Sequence, residues 1–141
     1  MNWDNKQLVL EAVKKDGWSL QFAPDKVKND LDIVLEAIKE SGTSLKFVSK
    51  RLKNDKKVIL EAVKQNGYAL KFVDDISKND EEIVREAVKN TGDSLQFASE
   101  ELRDNFKIVM EAIKYDKELY KFVGDKIKKQ FLTVEEFLKR N

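Results

Sequence analysis

Apolar residues recur along this chain in short stripes. The segment Ile33-Val34-Leu35-Glu36-Ala37-Ile38-Lys39 places apolar side chains at 34, 35, 37 and 38. That i, i+3, i+4 spacing puts them on one face of an amphipathic α-helix. The stripe returns every 25 residues: Glu-Ala stands at 11–12, 36–37, 61–62, 86–87 and 111–112. Gly holds the same period at 17, 42, 67 and 92, Phe at 22, 47, 72, 97 and 122, and Leu at 20, 45, 70 and 95, with Tyr120 closing that series. No insertion breaks the register. The chain therefore divides into copies 5–29, 30–54, 55–79, 80–104 and 105–129, followed by a segment 130–141.

Each copy predicts two helices. Asp30, Asp55, Asp80 and Asn105 stand just before the first, where a short polar side chain accepts from the open N–H groups of the first turn. The helix is expected to end at the recurring Gly, which tolerates the left-handed C′ conformation. Lys117 takes that place in the fifth copy, so its turn is expected to be strained or reshaped by about 1 kcal/mol. The second helix is shorter, as in Ser44-Leu45-Lys46-Phe47-Val48. A final apolar position follows at Val27, Leu52, Ile76, Leu102 and Ile127. Ile76 comes one residue early, which predicts a local phase shift in the third copy. Residues 24–29 read either as continued helix or as a 3-10 turn.

Helix pairs this short cannot bury both apolar faces alone, whereas stacked copies can. The expected architecture is all-α: an α-solenoid of about five 25-residue two-helix repeats plus a C-terminal capping helix over 130–141. Phe131, Val134, Phe137 and Leu138 share one stripe of that cap, and Trp3 is placed to cover the first copy.

The recurring Asn-Asp, Val-Leu-Glu-Ala-Val-Lys, Gly, Leu-x-Phe-Ala, Leu-Lys-Asn-Asp pattern resembles the bacterial tandem repeats called domain of unknown function 4116. It is clearest over residues 54–70 and 94–103. The resemblance implies a helical array and supplies no catalytic residue. The fifth copy departs from it at Lys117 and Tyr120.

Composition narrows the chemistry. The chain has 141 residues, no Cys and no His, which removes thiol nucleophiles, Cys/His metal sites and imidazole acid–base catalysis. Lys+Arg at 27 against Asp+Glu at 26 leaves a net charge of +1, so there is no global pull toward nucleic acid or anionic membrane. Arg is scarce, four residues against 23 Lys. No apolar run reaches the length of a membrane span, and Met1-Asn2-Trp3-Asp4 does not open a secretory signal, so a cytoplasmic protein is expected.

Two ladders of charge follow the repeat. Glu11, Glu36, Glu61, Glu86 and Glu111 each precede a Lys by three residues, at Lys14, Lys39, Lys64, Lys89 and Lys114. Such pairs stabilise a helix, and that reading outweighs a cation-binding or acid–base ladder. Lys28, Lys53, Lys78, Arg103 and Lys128 form a basic ladder. It reads either as a track for a phosphate backbone or as cations set at the ends of the short helices. The fourth copy carries eight acidic against three basic side chains, a net of −5, beside a fifth copy of net +3. Its Glu81, Glu82, Glu100 and Glu101 either steer a basic partner or hold the two copies together.

Residues that break the repeat mark candidate contacts. Trp18 and Tyr68 follow the Gly where other copies have Thr43, Asp93 and Glu118, and Tyr115 stands where others have Lys15, Glu40, Gln65 and Asn90. They read as exposed hot spots for a partner, or as rings folded back over the turn. Arg85 replaces the Leu of Leu10, Leu35 and Leu60, and is expected to pair with Glu81 or Glu82. The expected function is non-enzymatic: binding of another protein through an edge of the array, with no cofactor, metal, membrane or small-molecule substrate. Two alternatives accompany it. One is an inhibitor from a phage or mobile element that blocks a nucleic-acid-targeting defence complex, in the manner of an anti-CRISPR protein. The other is nucleic-acid binding through the basic ladder.

Overall fold

The computed structural model describes residues 1–114 and 116–140. Each copy opens with an amphipathic α-helix: α1 (Lys6–Lys15), α3 (Leu31–Glu40), α5 (Lys56–Gln65), α7 (Glu81–Asn90) and the shorter α9 (Phe106–Ile113). The capping aspartates act as their chemistry predicts. Asp30 accepts from the amides of Asp32 and Ile33, Asp55 from Lys57 and Val58, Asp80 from Glu82 and Ile83, and Asn105 from Lys107 and Ile108.

The second half of each copy is two elements, not one helix. A 3-10 helix comes first: η1 (Gly17–Phe22), η2 (Gly42–Phe47), η3 (Gly67–Phe72), η4 (Gly92–Phe97) and η5 (Lys117–Phe122). Two extended residues follow, Ala23 at φ −74° and ψ 148° and Pro24 at φ −68° and ψ 161° in the first copy. The chain then makes a short α-turn: α2 (Asp25–Lys28), α4 (Lys50–Lys53), α6 (Asp75–Lys78), α8 (Glu100–Arg103) and α10 (Asp125–Gln130). The physical reason is the spacing of the buried residues. Gly42, Leu45 and Val48 lie three apart and are all buried, which matches three residues per turn. Residues 24–29 are thus a separate α-turn.

The copies stack so that Val9, Val34, Ile59, Val84 and Val109 run through one continuous core. The far end is sealed by α11 (Val134–Arg140), whose fully buried Phe137 stacks on Phe106 at 5.1 Å and 22°. Phe131 meets the same pair edge-on, and its carbonyl accepts from the Tyr120 hydroxyl at 2.8 Å. At the other end Trp3 is half-buried beside Val27 and Ile33, while Leu8 stays 44% exposed.

Two expectations are corrected. Among the described residues no Gly and no other residue has positive φ, so the periodic Gly is not a left-handed cap. It is needed for close approach instead. A Cβ on Gly17, Gly42 or Gly67 would collide with the carbonyl oxygen of Ala37, Ala62 or Ala87 in the next copy. Lys117 therefore carries no left-handed strain: its φ is not positive and its side chain is exposed. Nor does the third copy shift phase. Ser77 takes the buried position of Val27 and Leu52, and Ile76 stands 83% exposed. The Asp74 carboxylate fixes this register by accepting from the Ser77 amide at 2.8 Å.

Candidate functional site

The joints between copies are not equivalent. Across the joint of copies one and two, the Lys6 ammonium reaches Asp30 at 3.0 Å and Asp32 at 2.7 Å. Across the joint of copies three and four, Lys56 reaches Asp80 at 2.7 Å and Glu82 at 2.9 Å. Aromatic staples follow the same rhythm. The Trp18 indole N–H donates to Ser41 Oγ at 3.2 Å and Thr43 Oγ1 at 3.1 Å, and its ring meets Phe47 edge-on at 5.2 Å. The Tyr68 hydroxyl donates to Asp93 at 3.1 Å, and its ring meets Phe97 at 6.0 Å. The Ser49 and Ser99 amides donate to the Lys28 and Lys78 carbonyls, both at 2.9 Å, and their hydroxyls donate to Asn29 and Asn79.

None of these contacts has a counterpart between copies two and three among the described residues. Leu31 replaces Lys6 there, Thr43 replaces Trp18, and the Asp74 amide makes no bond to Lys53. What remains includes the latch at the Gly, whose N–H donates to Gln65 Oε1 at 2.5 Å, the Gln65 amide donating back to the Glu40 carbonyl at 3.2 Å, and the Lys46 ammonium 6.0 Å from the Phe72 ring. In keeping with this, α3 and α5 pack less closely than α1 and α3, while η2 and η3 pack more closely than η1 and η2.

This splayed joint opens an apolar groove of about 540 Å³ on the α-helical edge. Leu31, Leu35 and Lys39 form one wall, and Lys57, Leu60, Glu61 and Lys64 the other, with Val58 at the floor. Leu31 is 46% exposed, and Leu35 and Leu60 are half-buried. Among the rim charges, Lys39 pairs with Glu36 at 2.7 Å, and the Asp55 carboxylate is committed to two helix amides. Lys57, Lys64 and Glu61 form no ion pair within 4.0 Å among the described residues, though the Glu61 charge acts on Lys39 across the groove. Between copies four and five, charge takes the place of this apolar wall as a plug. There Glu81 and Arg85 replace Leu31 and Leu35 and pair with each other at 2.6 Å.

The residues singled out from sequence are distributed as follows. Trp18 and Tyr68 are 41% and 39% exposed, yet each is fastened to the next copy. The Asp93 bond and partial burial raise the Tyr68 pKa. Tyr115 lies outside the described residues. Glu81 pairs with Arg85, Glu82 with Lys56, and Glu101 accepts from Asn79 at 3.3 Å. Glu100 is exposed in a polar hollow with Glu101, Asp104 and Lys126.

The basic ladder is half-buried throughout and turns partly inward. Lys53 and Lys128 donate to the Lys46 and Lys121 carbonyls, both at 2.8 Å, near the C-terminal ends of the preceding 3-10 helices. Arg103 donates to the Phe122 carbonyl at 3.5 Å. Burial lowers the Lys53 pKa. Lys28 and Lys78 stand at the same half-buried place in their copies. In the acidic ladder, Glu36, Glu86 and Glu111 pair with Lys39, Lys89 and Lys114 at 2.7, 3.3 and 3.6 Å.

The groove residues Leu31, Leu35 and Leu60 escape a reading based on a single 25-residue period. The signal that finds them is a second period of 50: Lys6 and Lys56 against Leu31 and Glu81, Trp18 and Tyr68 against Thr43 and Asp93. Among the described residues, no group of three or more acidic side chains is placed to hold a metal ion, and no helix is long and apolar enough to cross a membrane.

The model of one protein family, a domain of unknown function (DUF4116), matches the chain three times, over residues 5–52, 32–78 and 80–128. Each match spans close to two of the 25-residue copies. No curated protein and no solved structure matches the chain.

Proposed function

The chain belongs to the DUF4116 family, and from the array that this repeat builds we propose a non-enzymatic protein-binding module that holds its partner on the α-helical edge. The observation that carries this reading is the groove between α3 and α5. Apolar surface is left open at one joint while the joints on either side are closed by ion pairs. Exposed apolar grooves with charged rims are what protein partners fill. The ordered carboxylates support a structural use of the acidic ladder: Glu36, Glu86 and Glu111 are neutralised by lysines three residues on. An acid–base pair would need carboxylates held apart in different environments.

The test is affinity capture from nuclease-treated lysate of the source cells. The wild type is compared with Leu31→Glu/Leu35→Arg, which transplants the plug of the fourth copy into the second. A protein held in stoichiometric amount by the wild type and lost by the variant is expected. Equal capture by both, or recovery of nucleic acid alone when nuclease is omitted, overturns the reading.

A further inference from the structure

We propose that the α3–α5 groove receives an amphipathic helix of a partner protein whose apolar stripe is flanked by carboxylates about two turns apart. The proposal rests on the protein-binding reading above and adds the chemistry of the partner.

Three observations select a helix. The walls are two helices of ten residues, about 15 Å long, which matches about three turns of a third helix laid between them. Backbone groups in the walls are satisfied within their own helices, so the groove offers no free edge to an added strand. The apolar lining is aliphatic, Leu31, Leu35, Val58 and Leu60, and lacks the aromatic rings that clasp a proline-rich segment. Aliphatic ridges spaced i, i+4 on α3 interdigitate with residues at i, i+3, i+4 and i+7 of a docking helix.

Charge selects the flanks. Lys57 and Lys64 lie seven residues apart on the same wall, about 10 Å along the helix axis, and neither has an ion-pair partner. Lys39 stands on the opposite wall with its ammonium shared by Glu36. Glu61 is the one rim carboxylate that is neither ion-paired nor committed to a helix end. Lys39, Lys57 and Lys64 balance Glu36, Asp55 and Glu61 in number, but the Glu36 and Glu61 charges act on Lys39, so Lys57 and Lys64 are the ammoniums left open, and a partner helix carrying acidic residues seven apart meets one at each end. Residue choice also sets this joint apart from its neighbours among the described residues. Lys6 and Lys56 pin the neighbouring joints, and the Glu81–Arg85 pair fills the equivalent position between copies four and five.

The experiment uses the full chain and two fluorescein-labelled helical peptides of about 18 residues, long enough to exceed the groove. Both carry a Leu/Ala stripe. One has Glu on its flanks at a spacing of seven, and the other has Lys at the same places. Fluorescence anisotropy reads affinity, calorimetry reads stoichiometry, and circular dichroism confirms that each protein variant is folded. The Glu peptide is expected to bind one to one and at least about tenfold more tightly than the Lys peptide. Lys57→Glu/Lys64→Glu, two exposed positions outside the core, is expected to invert that preference. Leu31→Glu/Leu35→Arg is expected to abolish binding, and Glu81→Leu/Arg85→Leu to create a second equivalent site. Equal affinity for the two peptides overturns the charge assignment. Affinity unchanged in the plugged variant overturns the groove. Binding of neither peptide, with a native partner still lost on plugging in the capture experiment, overturns the acidic-helix inference and leaves protein binding standing. Displacement of the Glu peptide by a mixed-sequence oligonucleotide at low salt assigns the lysines to phosphate and overturns it as well.

Discussion

Gly42 shows what a single position contributes to the stack. Its N–H donates to Gln65 of the next copy, and the space where a Cβ would stand is taken by the Ala62 carbonyl, with Gln65 Oε1 at 2.8 Å. A backbone oxygen cannot swing aside as a side-chain tip can. Gly42→Ala is therefore expected to cost about 2 kcal/mol or more through overpacking, read as a lower denaturant midpoint. Lys117→Gly is expected to change little beyond the entropy of one exposed residue, since the Lys117 side chain is in water and its φ is not positive. Periodic Gly was legible in the sequence but its cause was not. Spacing alone does not separate a left-handed φ from a close approach, and the missing Gly at Lys117 is the clue that favours the second. The carboxylates of Asp30 and Asp80 give the residue scale its pH dependence. Burial pushes both up, but the bonds from Lys6 and Lys56 and from the helix amides outweigh it, so both lie below the ordinary carboxylate range. A depressed folded pKa gives stability that is present above the unfolded value and lost as pH falls through the folded one. The melting midpoint is thus expected to hold from neutral pH down to about 5 and to fall below about 4. Asp30→Asn/Asp80→Asn, which keeps a capping oxygen, is expected to melt lower at pH 7 and to lose part of that acid limb. An unchanged acid limb in this variant would assign the pH dependence to other carboxylates.

At the scale of elements, the α-helices and their caps were legible because a 3.6-residue stripe and an Asp or Asn before it are unambiguous together. The 3-10 helices were not. Leu45 and Phe47, two apart, fit no α-stripe, and the diagnostic set was Gly42, Leu45 and Val48 at a spacing of three. The phase shift expected at Ile76 failed for a related reason. Hydrophobicity was read as burial, whereas the four-residue turn α6 is fixed in register by the Asp74 cap and buries Ser77 instead. This predicts that Ser77→Val raises stability by about 1 kcal/mol, since it fills with aliphatic surface a position that is apolar in every other copy. Ile76→Ser is expected to be close to neutral, its side chain being almost fully in water. Denaturant titration of the two single variants checks both. Destabilisation by Ser77→Val would mean that the Ser hydroxyl bonded to Asp74 matters more than the apolar volume gained.

For the whole molecule, the stability of a stacked array is close to a sum of copy and joint terms, and here the joints differ. Copies one and two share the Lys6 ion pairs, the Trp18 staple and the Ser49–Lys28 bond; copies three and four share the equivalents at Lys56, Tyr68 and Ser99. The fifth copy is tied to the fourth by the Gly124 amide on the Arg103 carbonyl at 2.8 Å and the Ile127 amide on Asp104 at 3.0 Å. It is closed from outside by Phe137, so Phe137→Ala is expected to cost about 3–5 kcal/mol and to loosen the fifth copy first. Between copies two and three the polar set among the described residues is the Gly42 latch, its return bond from Gln65 to the Glu40 carbonyl at 3.2 Å, the Lys46 ammonium 6.0 Å from the Phe72 ring and the pull of Glu61 on Lys39, alongside the packing of α5 and η3 on α3 and η2. A chain joined this way opens first where its joint is poorest. Native-state hydrogen exchange in mild denaturant is expected to resolve two cooperative units, residues of copies one and two in one and those of copies three to five in the other. Leu31→Lys/Lys57→Glu supplies α3 with the cation and α5 with the second carboxylate that pin the other joints, as Lys6 faces Asp30 and Asp32 and Lys56 faces Asp80 and Glu82. It is expected to bring the two exchange isotherms together while narrowing the groove. A single isotherm in the wild type would mean that the continuous core couples all the copies, and that the splay between α3 and α5 shapes a binding surface without creating a line of weakness.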